Sequence, residues 1–453
     1  MDSIGFRSLK KESIMFCESE NGKCQDKIQR SCNMTGACAN TILDTAIHNT
    51  KLAIDRLSLN IDIASFLTAP REKIEINFHP VLDDGHVVPI KAFIVRHSDA
   101  LGPAKGGIRF SSEVTLEDVT GLAMEMTWKT SLIGVPFGGG KAGIKFDPGK
   151  VNAKEKEIII RGFVRGMFRQ IGPEIYVPAP DMGTSEKDMG YIADCISYSS
   201  GKAITSGCYV TGKPLISGGI AGRREATGKG VFFTIEEACR KKNLSLNKVK
   251  AAVQGFGNVG AVLASELFNA GAKVVAVSDI GSGIYNAEGL DICALKQHVD
   301  ESKGVKGFAG GEAIDSAEVL YVDCDVLIPA ATGSQLTGKN AARVKASIIA
   351  EAANSPTTPE ADEILNKNGC FIIPDILCNA GGVFVSYLEY TQETQREQME
   401  QAVVSQRLEE RMKSTFSKVY DHMLKNSGTM RMAAMDIAVG RVAEAIAARG
   451  FLP

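Results

Sequence analysis

The sequence predicts an α/β protein built from two units, and three patterns carry that prediction. Ile74, Ile76 and Phe78, then Ile90, Ala92 and Ile94, alternate with other residues as half-buried strands do. The apolar run 249–253 leads into Gly255-Phe256-Gly257-Asn258-Val259-Gly260, a helical pattern through Leu267, and a second apolar run, 273–277, that stops at Asp279. Val404, Leu408, Met412, Phe416, Val419 and Met423 recur at steps of three or four with charges between them, the period of an amphipathic helix.

Composition bounds what such a chain does. Its 453 residues suffice for two or three domains with cores of their own. Apolar content of 44% and charged content of 23% are ordinary for a globular protein. A net charge of -2 with no Lys/Arg run gives no field for nucleic acid, and no apolar stretch reaches the length of a membrane span. The first residues lack the apolar core of a secretion signal, and Glu12, Glu18, Glu20 and Asp26 argue against a transit peptide. The expectation is a cytoplasmic protein. Cys195, Cys208, Cys239, Cys293, Cys324, Cys370 and Cys378 lie in apolar segments and read as small reduced core residues. Cys17, Cys24, Cys32 and Cys38 crowd residues 1–40 without a C-x-x-C pair or a histidine before His48. That stretch reads as a flexible, reduced extension, and no metal site is expected.

In chain order, residues 41–67 carry Ile47, Ile54, Leu57 and Ile61 at helical spacing. Asp84-Gly85 marks a turn between the two alternating strands. Mixed helix and strand continue to about residue 215, giving one α/β unit over 41–215. The second unit opens near 216 with the strand, glycine turn, helix, strand and acid of the dinucleotide-binding fingerprint. In that arrangement Gly255 permits the tight turn, Gly257 lets a pyrophosphate approach and Gly260 allows close helix packing. The helix N-terminus at Asn258 and Val259 then turns its partial positive charge toward the phosphates. This is a Rossmann-type unit, with further strands expected at 326–328 and 348–350.

The chemistry gathers in the first unit. In Pro136-Phe137-Gly138-Gly139-Gly140-Lys141-Ala142-Gly143-Ile144, glycines bring the backbone close to whatever lies beside it. Lys141 sits among them, near apolar Val135, Phe137 and Ile144. Desolvation there lowers a lysine pKa and makes it a usable base. Lys129 follows the only tryptophan in Met126-Thr127-Trp128-Lys129, and Lys105 stands in Gly102-Pro103-Ala104-Lys105-Gly106-Gly107-Ile108-Arg109. Asp181 is held in the stiff Pro178-Ala179-Pro180-Asp181-Met182-Gly183. Singly, these lysines read as surface charges and the aspartate as a helix cap. Their conjunction in one order is what counts.

From about Ala46 to the C-terminus, these motifs resemble the amino-acid dehydrogenase family that includes glutamate, leucine, phenylalanine and valine dehydrogenases. The resemblance implies a substrate-binding and oligomerisation domain over 41–215 and a dinucleotide-binding domain over 216–425. A C-terminal helix within 426–453 returns to the first domain, leaving a cleft between the two. It implies Lys141 as general base, Asp181 as proton shuttle and Lys129 as the α-carboxylate site. Thr227 and Asn258 match cofactor-contacting positions, Arg223 matches a substrate-binding one, and Asn354 lies in a loop similar to that beside the nicotinamide. Lys105 and Ser386 match the positions that hold a side-chain carboxylate in glutamate dehydrogenases, where relatives acting on aliphatic amino acids are apolar. An apolar substrate would leave a buried lysine unsatisfied.

The implied reaction is therefore reversible oxidative deamination of L-glutamate to 2-oxoglutarate and ammonium, in a homohexamer. Two rivals remain open: a dehydrogenase of an aliphatic or aromatic amino acid, and a catalytically silent nucleotide-sensing homologue. Asp279 favours NAD, because a carboxylate accepts from a ribose 2′-hydroxyl and repels a 2′-phosphate, with NADP left open.

Overall fold

A computed structural model describes residues 41–201 and 207–450. Cys17, Cys24, Cys32 and Cys38 lie outside the described residues. The apolar spacing over 41–67 folds as two helices, α1 (Ile42–Arg56) and α2 (Ile61–Thr68). The period alone does not show the break. Ser58 adopts a left-handed φ of 50°, and the Asn60 side chain accepts from the Ile63 amide to start α2 afresh.

The first sheet has five strands: β1 (Glu72–Phe78), β2 (Ile90–Ser98), β3 (Ala104–Phe110), β4 (Gly138–Lys145) and β5 (Tyr176–Pro180). Their spatial order is β1-β2-β4-β3-β5. The β1–β2 and β2–β4 pairs are antiparallel, whereas β3 runs parallel to both β4 and β5. Side chains alternate faces along β1, as its sequence predicts. Helix α3 (Leu116–Ile133) covers one face of the sheet. A Thr115–Asp118 capping box starts it and Gly134, at φ 79°, ends it. Helices α4 (Ala153–Met167) and α5 (Glu186–Ser200) close the other face over Ile108, Ile144, Phe163 and Ile192.

The second sheet is built on β6 (Lys250–Gln254), β7 (Lys273–Ser278), β8 (Gly283–Tyr285), β9 (Glu312–Ile314), β10 (Val326–Pro329), β11 (Ile348–Ala350) and β12 (Phe371–Ile373). Its order is β12-β11-β10-β6-β7-β8-β9, parallel except for the last two strands. Both faces are buried: Val326 and Ile328 enter one apolar cluster and Leu327, between them, enters another. That explains why these strands read as continuous apolar runs. Helices α6 (Ala226–Lys241), α7 (Asn258–Asn269), α8 (Ile292–Ser302) and α9 (Pro359–Lys367) flank the sheet, and the short α10 (Asp375–Cys378) follows β12.

Three further helices join the two sheets: α11 (Gly381–Gln395), α12 (Gln401–Lys425) and α13 (Met430–Arg449). The stripe on α12 buries Val404, Leu408, Met412, Phe416 and Val419. Helix α13 packs against α1, α2 and α3, where Ser131 Oγ donates to Ala438 O at 2.8 Å and Arg56 pairs with Asp436 at 2.6 Å. Cys195, Cys208, Cys239, Cys324 and Cys378 are buried free thiols and Cys370 is half-buried. Cys293 departs from the expectation: it lies on the outward face of α8, while neighbouring Ile292 and Leu295 point inward. Among the described residues no helix is long and apolar enough to cross a membrane.

Candidate active site

The site begins with the strand period. On β4, residues 139, 141 and 143 share one face. A Cβ on Gly139 would stand 2.0 Å from Thr127 Oγ1, and one on Gly143 would stand 2.8 Å from Val119 Cγ2. Both contacts are with α3, so only glycines let that helix settle onto the face that carries Lys141. On neighbouring β3, Lys105, Gly107 and Arg109 share a face, and Lys105 and Arg109 pair in register with Gly139 and Gly143. A Cβ on Gly107 would stand 2.7 Å from Asp181 Cβ, so the missing side chain is what seats Asp181 over the strand. Arg109 and Lys141 thus lie on adjoining strands beside one carboxylate, with Lys105 further along β3 on the same face.

Lys141 Nζ and Asp181 Oδ2 are 2.8 Å apart, and Arg109 Nε donates to the same oxygen at 3.3 Å. Burial lowers the Lys141 pKa, and Arg109 and Lys129 push the same way while Asp181 resists. Burial works against the Asp181 charge, but Lys141 and Arg109 more than offset it and hold the carboxyl at about 2. Lys129, one face of α3 away, donates to Asn354 Oδ1 at 2.9 Å. Asn379 Nδ2 donates to that oxygen at 3.1 Å and to Ala352 O and Ala353 O at 3.2 Å, fixing the loop after β11. Ser355, next in that loop, donates to Glu125 of α3 and takes its backbone conformation from Asp375, which accepts from the Ser355 amide at 2.8 Å. Trp128 is buried against His97, ring centroids 5.5 Å apart.

Lys105 is 1% exposed, and among the described residues its Nζ has only backbone carbonyls as partners, Val177 O at 3.1 Å and Pro178 O at 3.5 Å. Burial and the nearby Arg223 charge bring its pKa down to about 7. Arg223 Nε donates to Ser386 Oγ at 2.8 Å. No hydrogen bond joins Lys105 to Ser386; Arg223 holds Ser386 instead. Thr227 lies a turn away, and a Cβ on Gly382 would meet its Oγ1 at 2.5 Å.

In the second unit the three glycines differ as their places in the turn require. Gly255 has φ 98°, open to glycine at little cost, and a Cβ on Gly260 would stand 1.8 Å from Gly255 O. A Cβ on Gly257 would meet nothing within 4 Å, which is the open approach a pyrophosphate needs. No side chain caps α7 at Gly257, leaving the amides of its first turn for an anion. These residues fit a dinucleotide. Asn258 is exposed and Val259 half-buried at that helix start. Asp279 comes just after β7, where its Oδ1 accepts from the Gly281 and Ser282 amides at 2.8 and 3.0 Å and its Oδ2 from Val305 at 2.7 Å. The carboxylate is thereby fixed in place, with lone-pair sites still open.

Several neighbours were not singled out by their sequence. Arg109 stands in a quoted stretch but carries no signal of its contact. Asn379 bonds back to Asn354, and Lys213 Nζ meets Glu389 Oε1 at 2.8 Å from far along the chain, so spacing gives no sign of either pair.

Two family profiles match the chain: Glu/Leu/Phe/Val dehydrogenase, dimerisation domain, over residues 70–198, and Glutamate/Leucine/Phenylalanine/Valine dehydrogenase over residues 218–450. A relative named glutamate dehydrogenase from Thermotoga maritima is 42% identical, covering 91% of this chain and 99% of that one. A Staphylococcus aureus protein named NAD-specific glutamate dehydrogenase is 38% identical over 88% of this chain and 96% of its own. Among solved structures, the hetero-hexameric glutamate dehydrogenase of Thermus thermophilus in a Leu-bound form superposes with a TM-score of 0.87 at 31% identity, covering 91% of this chain and 98% of that one. With matches across both units and over nearly the full length of these relatives, the chain belongs to the glutamate/leucine/phenylalanine/valine dehydrogenase family.

Proposed function

We propose that this enzyme is an L-glutamate dehydrogenase, and the observation that carries the reading is Lys105. A fully buried lysine with no carboxylate partner among the described residues suits an anion brought by the substrate. Arg223 and Ser386 supply further donors beside it. A distal carboxylate satisfies all three, whereas an aliphatic side chain leaves them unpaired.

Lys129 then holds the α-carboxylate, exchanging its bond to Asn354 for one to substrate. Asp181, ionised throughout the neutral range, takes the proton from the α-ammonium group. Gly255, Gly257, Asn258, Val259, Gly260, Thr227 and Asn354 would hold the dinucleotide, which would supply the acceptor for the α-hydrogen as hydride. Neutral Lys141 takes a proton from the water that attacks the resulting iminium, Asp181 returns its proton to the carbinolamine nitrogen, and the carbinol hydroxyl proton passes to the departing ammonia, which leaves as ammonium as the C=O forms. With α3 packed onto the glycine-lined strand face, Lys141 is only 4% exposed.

NAD is the favoured cofactor because Asp279, fixed just after β7, would accept from a ribose 2′-hydroxyl and repel a 2′-phosphate. The division into a substrate unit over 41–215, a dinucleotide unit over 216–425 and a returning segment over 426–453 is part of the same reading. So are a homohexameric assembly and a cytoplasmic location.

Initial rates with 2-oxoglutarate or 4-methyl-2-oxopentanoate, ammonium and either NADH or NADPH test the reading. The expected order is 2-oxoglutarate first, with NADH the better donor. Lys141→Ala loses about 10²- to 10⁴-fold in kcat with cofactor binding intact. A variant keeping more than a tenth of wild-type kcat removes Lys141 as the base, and a preference for the branched substrate removes glutamate.

A further inference from the structure

A base that must be neutral to act poses a problem for the carboxylate beside it. Lys141 must give up its charge to act on water, yet in the resting geometry its ammonium is the nearest cation to Asp181, at 2.8 Å. If nothing replaced that charge, a half-buried carboxyl over the strand would take up the proton more readily itself and become a poorer base. The structure supplies a replacement. Arg109 Nε lies 3.3 Å from the same Oδ2, on the strand next to Lys141, and a guanidinium keeps its proton in proteins.

We propose that Arg109 is the fixed cation of the proton-transfer site, a positioning residue that holds Asp181 as a carboxylate while Lys141 is neutral and that favours the neutral form of Lys141. This rests on the roles given to Lys141 and Asp181 above. The groups around the pair are few. Asp181 faces Lys141 from β4, Arg109 from β3, the Tyr176 phenol from β5, the Met182 backbone amide and the Thr184 side chain of its own loop. Lys141 faces Asp181 and Arg109, with Lys129 and Glu125 on α3. Arg109 is the one cation in either set that acts on both members in the direction catalysis needs: it draws a proton off Asp181 and off Lys141 alike. Lys129 bears on Lys141 in the same sense, but its place is with the substrate carboxylate, which cancels its charge once bound.

The test is the pH dependence of kcat/KM for glutamate oxidation at saturating NAD, measured for wild type, Arg109→Met and Arg109→Lys. Both proton acceptors lose an ally in Arg109→Met, so the acid limb moves to higher pH by about one unit or more. Arg109→Lys keeps the charge, and its limb stays near the wild-type position even where its rate falls. A merely structural role lowers the rate at every pH and leaves the limb unmoved in Arg109→Met, which overturns the proposal. So does a limb displaced equally in Met and Lys, because shape and not charge is then at work. Thermal melts verify folding, and Arg109→Gln replaces the methionine variant in the same comparison should that one not fold. Failure of the glutamate reading appears separately, as wild type that does not oxidise glutamate.

Discussion

Two buried lysines share one corner of the molecule and live under opposite terms. Lys213, in the loop before α6, places its Nζ 2.8 Å from Glu389 Oε1, 2.8 Å from Glu393 Oε2 and 2.6 Å from Val210 O. Glu389 also accepts from the Gly212 and Lys213 amides at 2.7 and 3.3 Å, so α11 and the loop are bound together. Burial opposes the Lys213 charge, but the two glutamates reverse it and raise its pKa. Lys105 Nζ bonds only carbonyl oxygens among the described residues, and burial with the neighbouring Arg223 outweighs the pull of Glu389 to bring its pKa to about 7. The paired lysine is part of the scaffold, complete without any ligand. The unpaired one is incomplete by itself, and that shortfall is what a substrate carboxylate makes good.

Breaking the pairs separates the two cases most sharply in stability. Lys213→Met leaves Glu389 buried with its charge unmet and costs about 3 to 5 kcal/mol in urea unfolding. Lys105→Met removes a cation that the fold does not compensate, so at pH 7 it leaves stability unchanged or raises it. The sign follows from linkage: the folded-state pKa of Lys105 is depressed to about 7 from 10.5, so the unfolded chain binds more protons between those values. Wild-type stability therefore climbs with pH across that window, and the climb is reduced in Lys105→Met. Equal destabilisation by both substitutions would mean that the two lysines are held on the same terms.

The next effect is on specificity. Lys105→Leu with Ser386→Val lowers kcat/KM for 2-oxoglutarate on the order of 10²- to 10³-fold, the cost of losing the partner of a buried charge. Lys129, Lys141 and Asp181 are untouched, so 4-methyl-2-oxopentanoate loses less or gains. Parallel loss on both substrates would assign the pair to folding.

One further effect appears without a mutation. Because free Lys105 sheds its proton near pH 7, KM for 2-oxoglutarate rises above that pH by up to about tenfold per unit, while a monocarboxylic substrate shows no such rise. A KM flat from pH 7 to 9 would mean that Lys105 stays charged in the empty site.

Which of these features the sequence discloses follows from their physics. Glycines around Lys105 and Lys141 announce close backbone approach, and the structure puts α3 and Asp181 in the spaces they leave. The turn at Gly255, Gly257 and Gly260 is equally plain, since each glycine answers a separate local need. The Lys213–Glu389 pair is not, because it joins positions far apart in sequence and neither residue needs a distinctive neighbour to make it. Arg109 is silent for another reason: an arginine on a strand looks like any exposed charge until Asp181 is folded over Gly107. The break between α1 and α2 hides behind a period that continues across it, and Cys293 sits one step off the buried stripe of its helix.

Trp128 turns the join between the units into an optical reporter. It is the only tryptophan in the chain, 1% exposed, next to Lys129 and edge-on to His97. Its indole Nε1 has no hydrogen-bond partner among the described residues. Intrinsic emission therefore comes from one known place, one residue from a side chain that binds across to the loop at Asn354. The buried ring should emit toward the blue in the resting enzyme, and a reduced nicotinamide, which absorbs in that range, should quench it by energy transfer. Movement of the second unit against α3 is thus readable in solution with no label added.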